Sequence, residues 1–178
     1  MKPNRKTGMI LRVSSVLILS GLAMSIAARV APAQEPTAAA DSDRAAVLAL
    51  VDSALAAISA EDFEGFTDLM LEEALAFPVW VERGGKLGYR ASTRADQRAI
   101  EPAADFVERG FDPDVRVQGH LATVWLPYDF YVDGEWSHCG VDAFILIRRP
   151  EGWRVASIAW TVEQPPACRP HPDGPPGG

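Results

Sequence analysis

At 178 residues, 48% hydrophobic and 23% charged, the chain has the make-up of one ordinary globular domain. Its net charge of -7 and a pI near 4.9 exclude the basic footprint that nucleic acid or an anionic membrane surface requires.

The chain opens on a basic stretch, "MKPNRKTGMILR", followed by an apolar run from Val13 to Ala28 and by "APA", with small residues at Ala31 and Ala33. This is the grammar of a secretory signal peptide, residues 1–33. The run is short for a bilayer span of about 20 residues, which favours cleavage over an uncleaved anchor. Cleavage removes Lys2, Arg5, Lys6, Arg12 and Arg29 and no acid, so the mature chain is more acidic still. Once cleaved it has no membrane segment and is expected in the periplasm or secreted. Residues 34–41, "QEPTAAAD", read as a flexible leader. Residues 42–164 carry the patterned body, and 165–178 form a Pro/Gly-rich tail expected to be irregular.

Ser42 and Asp43 are candidate N-caps, and Val47, Leu50, Val51, Ala54, Leu55 and Ile58 recur at helical spacing. A short second helix follows, with Phe63, Phe66 and Met70 on one side. "ALAFPVWVERGGKLGYR" reads as two extended pieces about a Gly-Gly turn, with Pro78 at an edge or bulge. "STRADQRAIEPAADFVERG" reads as helical in two parts, Pro102 opening the second and Gly110 closing it. From Val115 onward the pattern is long strands, with Asp133-Gly134 and Pro150-Glu151-Gly152 as hairpin turns. Helices first and a strand meander last define an α+β domain, with helices on one face of a curved antiparallel sheet.

A three-residue loop at 150–152 sets Arg149 opposite Trp153, Ile145 opposite Ser157, Phe144 opposite Ile158, Asp142 opposite Trp160 and His138 opposite Gln164. A two-residue loop at 133–134 sets Asp129 opposite His138 and Trp125 opposite Asp142. In this register, which a bulge at Pro127 would break, Ala122, Val124, Leu126, Val141, Ala143, Ile145, Ile147, Val155 and Ala159 face the helices. The other face carries the rows Trp125-Asp142-Trp160 and Asp129-His138-Gln164. A carboxylate between two indoles has its pKa raised unless a donor is near, and the indole N–H groups are candidate donors. So apolar a face is either a ligand-lining wall or a dimer interface. His138 beside Asp129 is either a structural hydrogen bond or a titratable pair. No zinc spacing, phosphate loop or nucleophile elbow occurs, so neither metal nor cofactor is expected.

The helix "AVLALVDSALAAISAEDFEGF", the strand "VRVQGHLATVWLPYDFYVDG" and the closing hairpin "HCGVDAFILIRRPEGWRVASIAWT" resemble the nuclear transport factor 2-like superfamily, of the SnoaL-like and ketosteroid-isomerase-like kind. The resemblance implies a cone-shaped pocket between helices and curved sheet, and commonly a homodimer. In ketosteroid isomerases a carboxylate base works beside a tyrosine and a protonated acid in an apolar site. Asp142 and Tyr128 are the matching residue types here, but the register puts them on opposite faces. Trp80, Tyr89 and Phe77 are expected to line the pocket from the short strands.

Two functions are therefore expected as alternatives. One is an exported domain that binds a small, largely apolar molecule, with Asp142 and His138 as candidates for cofactor-free acid/base chemistry and Trp125, Trp160, Tyr128, Trp80 and Tyr89 as ligand-binding candidates. The other is a non-catalytic periplasmic module whose sheet serves dimerisation or partner binding.

The two cysteines, Cys139 and Cys168, are either a disulfide or two free thiols. The register puts Cys139 opposite Glu163, five residues before Cys168, and a bend at Pro165-Pro166 would return the chain over it. That favours the bridge.

Overall fold

The computed structural model describes residues 38–82 and 84–177. In chain order the elements are α1 (Ala38–Ser59), α2 (Phe63–Asp68), β1 (Met70–Val81), β2 (Leu87–Tyr89), β3 (Ser92–Thr93), α3 (Arg94–Arg98), β4 (Phe106–Gly110), β5 (Asp114–Gln118), β6 (Leu121–Val132), β7 (Glu135–Arg149) and β8 (Gly152–Val162). The signal segment 1–33 and the first half of the leader lie outside the described residues. The leader's last four residues, 38–41, are already helical.

The helical spacing of α1 buries Val47, Val51, Ala54 and Leu55 against the sheet. Each fully buried Val or Leu of this kind contributes about 1.5–3 kcal/mol. Polar contacts fix the helix as well: Arg44 Nη1 donates to the Val115 carbonyl at 2.6 Å, and Arg148 Nη1 to Asp43 Oδ2 at 2.7 Å. A capping box at Thr93 and Asp96 starts α3. Arg94 and Arg98 then tie that helix to Asp68, and Arg98 pairs also with Glu64.

The strands form one open sheet in the order β2-β1-β8-β7-β6-β4, with β3 also pairing β1 and β5 also pairing β6. It is mixed rather than wholly antiparallel, because β1 runs parallel to β8. After β1 the chain crosses to the far edge and meanders back through β6, β7 and β8, so the last strand arrives beside β1 pointing the same way. Pro78 lies where the neighbour of β1 changes from β3 to β2, beyond the ladder of either.

The expected second helix over "EPAADFVER" is instead β4, paired with β6. A helix of nine residues is marginal on its own, and pairing with a long neighbouring strand overrides the local pattern. The outer edge of β4 is covered by Ser59 of α1. Its Oγ accepts from Glu108 N at 2.9 Å and donates to Glu108 O at 3.3 Å.

Two bulges correct the expected registers. Between β6 and β7, Tyr131 pairs Trp136 but Phe130 pairs His138, so Ser137 is the extra residue. Every pairing beyond it moves by one: Leu126 faces Asp142, Trp125 faces Ala143 and Asp129 faces Cys139. The bulge sits at Ser137, not at Pro127. Between β7 and β8 the turn is one residue tighter than expected, with Arg149 opposite Gly152, and Ala156 is then an extra residue. The two departures cancel, so Ile145–Ser157, Phe144–Ile158 and Asp142–Trp160 pair as expected.

The helix-facing side of the sheet is therefore Ala122, Val124, Leu126 and Tyr128 with Asp142, Phe144 and Leu146, and with Val155 and Ile158. Ala143 and Ile145 lie on the outer face with Trp125.

The tail has no regular secondary structure, as expected, but it is tied down. Cys139 and Cys168 form a disulfide with 5.7 Å between α-carbons, and Cys139 bridges Glu163 as expected. Further along, the His171 amide donates to Asp129 Oδ2 at 2.9 Å, and Arg169 lies over the Phe111 ring at 4.7 Å.

Candidate functional site

A cavity of about 200 Å³ lies between the helices and the inner sheet face. The helices supply Ile58, Phe63 and Phe66, β4 supplies Phe106 and Glu108, and β6 supplies Tyr128 and Phe130. His138 and Asp142 come from β7, and Ile158, Trp160 and Val162 from β8. A space of about 150 Å³ is enough to hold benzene, so this cavity suits a molecule of one ring or a little more.

The lining is largely apolar, and its polar side chains are Gln97, Glu108, Tyr128, His138 and Asp142. Asp142 is 1% exposed and reaches the carboxyl of Glu108 from across the sheet. No protein N–H or hydroxyl reaches Asp142 Oδ2 among the described residues. Two carboxyls in hydrogen-bonding contact require a proton between them. Burial, then the charge of Glu108, then the bond to Glu108 raise the Asp142 pKa well above the usual carboxylate range. Burial also pushes Glu108 up to about 7, against the pull of the hydrogen bond from Asp142. Asp142 is thus the partner that keeps the proton and donates, and Glu108 is the one that ionises first, near neutral pH.

Tyr128 is fully buried beside the pair. Its hydroxyl donates to the Thr161 carbonyl at 2.8 Å, crossing β7 where Gly140 faces it. A side chain at Gly140 would stand 2.0 Å from the Thr161 carbonyl oxygen, so glycine is required for this approach. Thr161 in turn accepts from Val141 N through Oγ1 at 3.1 Å. Burial, then the negative charges of Asp142 and Glu108, raise the phenol's pKa. His138 stacks on Phe130, with ring centres 4.9 Å apart, and its Nδ1 meets Ser137 Oγ at 3.0 Å. Burial lowers its pKa and favours the neutral ring.

Of the residues singled out in the sequence, Asp142, His138, Tyr128 and Trp160 meet at this cavity. Tyr128 and Asp142 share a face after all, because the Ser137 bulge shifts β7 by one residue. The same shift removes Trp125, which is 57% exposed on the outer face. Trp160 lies opposite Asp142 as expected, yet makes no hydrogen bond to it. Tyr89 is 71% exposed at the sheet edge, and the Trp80 ring packs over Gly88. Neither lines the cavity, and nor does Phe77 on β1. Asp129 and His138 are not partners. Asp129 points to the outer face, where Arg109 grips it at 3.0 and 2.6 Å.

Glu108 was missed. Its strand reads as a helix when Pro102 and Gly110 are taken as helix boundaries. The signal that finds it is alternation of period two, Phe106, Glu108 and Gly110, with Arg109 between them facing the other way.

No protein-family model matches the sequence, and neither does any curated protein. The likeness is one of fold. Among solved structures, a nuclear transport factor 2-like protein with a cystatin-like fold from Novosphingobium aromaticivorans matches with a TM-score of 0.53 and 17% identity, over 68% of this chain and 82% of that one. A proposed dehydratase of the same family from Streptomyces avermitilis matches with a TM-score of 0.52 and 18% identity, over 68% and 96%. The β subunit of a proposed aromatic-ring-hydroxylating dioxygenase from Novosphingobium aromaticivorans matches with a TM-score of 0.59 and 12% identity, over 71% and 92%. The chain has the nuclear transport factor 2-like fold, with the helices and open mixed sheet enclosing the cavity between them.

Proposed function

We propose that the chain is an exported domain that binds a small, largely apolar molecule in this cavity, and that the Glu108–Asp142 pair can move a proton to and from it without a cofactor. The observation that carries the reading is Asp142 Oδ2, buried and without a donor among the described residues in a largely apolar cavity. Glu108, with a pKa near 7, is suited to act as base, and Asp142 returns the proton through the bond they share. The Tyr128 hydroxyl is committed to Thr161, so a developing oxyanion finds no donor there. His138, neutral at the cavity wall, is the second titratable group within reach.

Export rests on the signal grammar of residues 1–33. The disulfide is compatible with it, and no described helix is long and apolar enough to cross a membrane. Native mass spectrometry of protein recovered from the cell envelope tests both halves. It should show a chain beginning at or near Gln34 with a small molecule bound, and Asp142→Asn should weaken that binding. Full-length protein in the cytosol would refute export, and an empty cavity in every preparation would count against binding.

A second reading has its own observation. Leu121, Trp125 and Ile145 lie on the outer sheet face and are 49%, 57% and 43% exposed. That patch suits a homodimer or a partner module, with or without a ligand inside. Sedimentation of wild type against Trp125→Ser decides it: the reading expects a dimer that the substitution splits.

A further inference from the structure

We propose that the molecule taken up by the cavity is a small organic ammonium ion, an amine whose N–H groups bond the Glu108–Asp142 pair while its apolar body lies against the aromatic walls. The inference rests on the binding reading above and names the class of ligand.

It comes from the charges that face the cavity. Glu108 on β4, Asp142 and His138 on β7, and Tyr128 on β6 are the titratable groups in its lining; α1, α2, α3 and β8 contribute none. Among the described residues, no lysine or arginine lines it. Arg109, next to Glu108 in sequence, points to the opposite face and is spent on Asp129 and on the Gly174 carbonyl at 2.7 Å. Arg94 and Arg98 are held by Asp68 and Glu64 among the helices. Burial keeps His138 on the neutral side, so the charge that the pair develops is negative, and among the described residues no donor bonds Asp142 Oδ2.

Such a site repels an anion. It offers a neutral carbonyl compound less, because the Tyr128 hydroxyl is already used, the pair's proton lies between the two carboxyls, the Gln97 amide is bonded to Ser92 Oγ at 2.8 Å, and His138 is left as the other N–H. A primary ammonium ion supplies what is missing, a positive charge and several N–H donors. Bonds from it to the pair are charge-assisted. Phe63, Phe66, Phe106, Phe130 and Trp160 give it ring faces, which attract a cation and cover an apolar body equally well. Asp142 is the independent second observation: a buried side chain with an unpartnered oxygen, aimed into a cavity large enough for a ring.

Benzylamine, benzyl alcohol and benzoate have nearly one shape and differ in charge. Titration calorimetry of the mature chain with each at pH 8 tests the inference. Benzylamine should bind at least about tenfold tighter than benzyl alcohol, as one charge-assisted bond allows, and benzoate should give no heat. An alkylamine stays protonated in this range, so only the pair limits binding at lower pH. Affinity for benzylamine should fall about tenfold from pH 8 to pH 6, with protons released on binding at pH 6. Asp142→Asn, or Glu108→Gln if the first does not fold, should bring amine and alcohol to within about twofold of each other. Benzyl alcohol or benzoate binding as tightly as benzylamine overturns the inference and leaves the binding reading standing, as does a neutral or anionic molecule that co-purifies. No heat from any of the three, together with no co-purifying molecule, overturns both.

Discussion

Asp129 and Asp142 lie on neighbouring strands of one sheet, and both are almost wholly buried. Asp129 faces outward under the tail and is surrounded by donors: Arg109 through two nitrogens and the His171 amide. Asp142 faces inward, and among the described residues its polar partner is another carboxyl. Burial of a charge is costly in either place. At Asp129 the cost is offset by a fork of hydrogen bonds that also fastens the C-terminal tail. At Asp142 it is avoided by keeping a proton. The first arrangement is structural and has no free valence. The second leaves an acceptor open to a cavity, which is the condition for a site.

The comparison predicts opposite responses to substitution. Asp129→Ala should be the most damaging single change, costing about 3–5 kcal/mol, because it strands the Arg109 guanidinium half-buried. Chemical denaturation measures this; a loss below about 1 kcal/mol would mean that the clamp is ornamental. Replacing both Cys139 and Cys168 by Ala removes the other fastening of the tail. The bridge spans 29 residues and should be worth about 3 kcal/mol in the chain-entropy model. Thiol titration of the unreduced, denatured protein should find no free thiol.

The inner pair should show itself through pH. Glu108 keeps its proton in the folded state up to about pH 7, whereas the unfolded chain loses it near the ordinary value of 4.5. Between those values the folded state binds more protons, so stability is full below the lower one and is lost as pH rises through the upper one. From pH 5 to pH 7 the loss should be on the order of 2 kcal/mol. Glu108→Gln should flatten this part of the stability curve, while leaving the contribution of the Asp129 clamp unchanged. A wild-type curve that rises over the same window would break the distinction between the two aspartates.

Asp142 was legible in the sequence as an acid in an aromatic row. Its β8 neighbour Trp160 was legible too, and so was the disulfide, since all three rest on one hairpin whose two register errors cancel. Asp142 was placed on the side away from the helices, with Trp125 and apart from Tyr128, because a single bulge at Ser137 inverts the relation of β6 to β7, and nothing in "GEWSHCG" marks which residue is extra. Glu108 was hidden for another reason. Its five-residue strand carries only a brief alternation, which Pro102 and Gly110 mask as helix boundaries, and pairing with β6 and Ser59 is what fixes it. The Arg109–Asp129 clamp is a cross-strand pair of β4 and β6, so it stays hidden while β4 reads as a helix.

The central claim is that Glu108 and Asp142 hold a proton together at neutral pH. Carbon-detected NMR of the side-chain carboxyls of the mature protein, titrated from pH 4 to pH 9, tests it directly, with Glu108→Gln and Asp142→Asn assigning the two resonances. The account predicts that the Glu108 signal titrates near pH 7, that Asp142 stays protonated beyond it, and that either substitution shifts the other's transition. Two carboxyls fully ionised by pH 5, each indifferent to loss of the other, would contradict it.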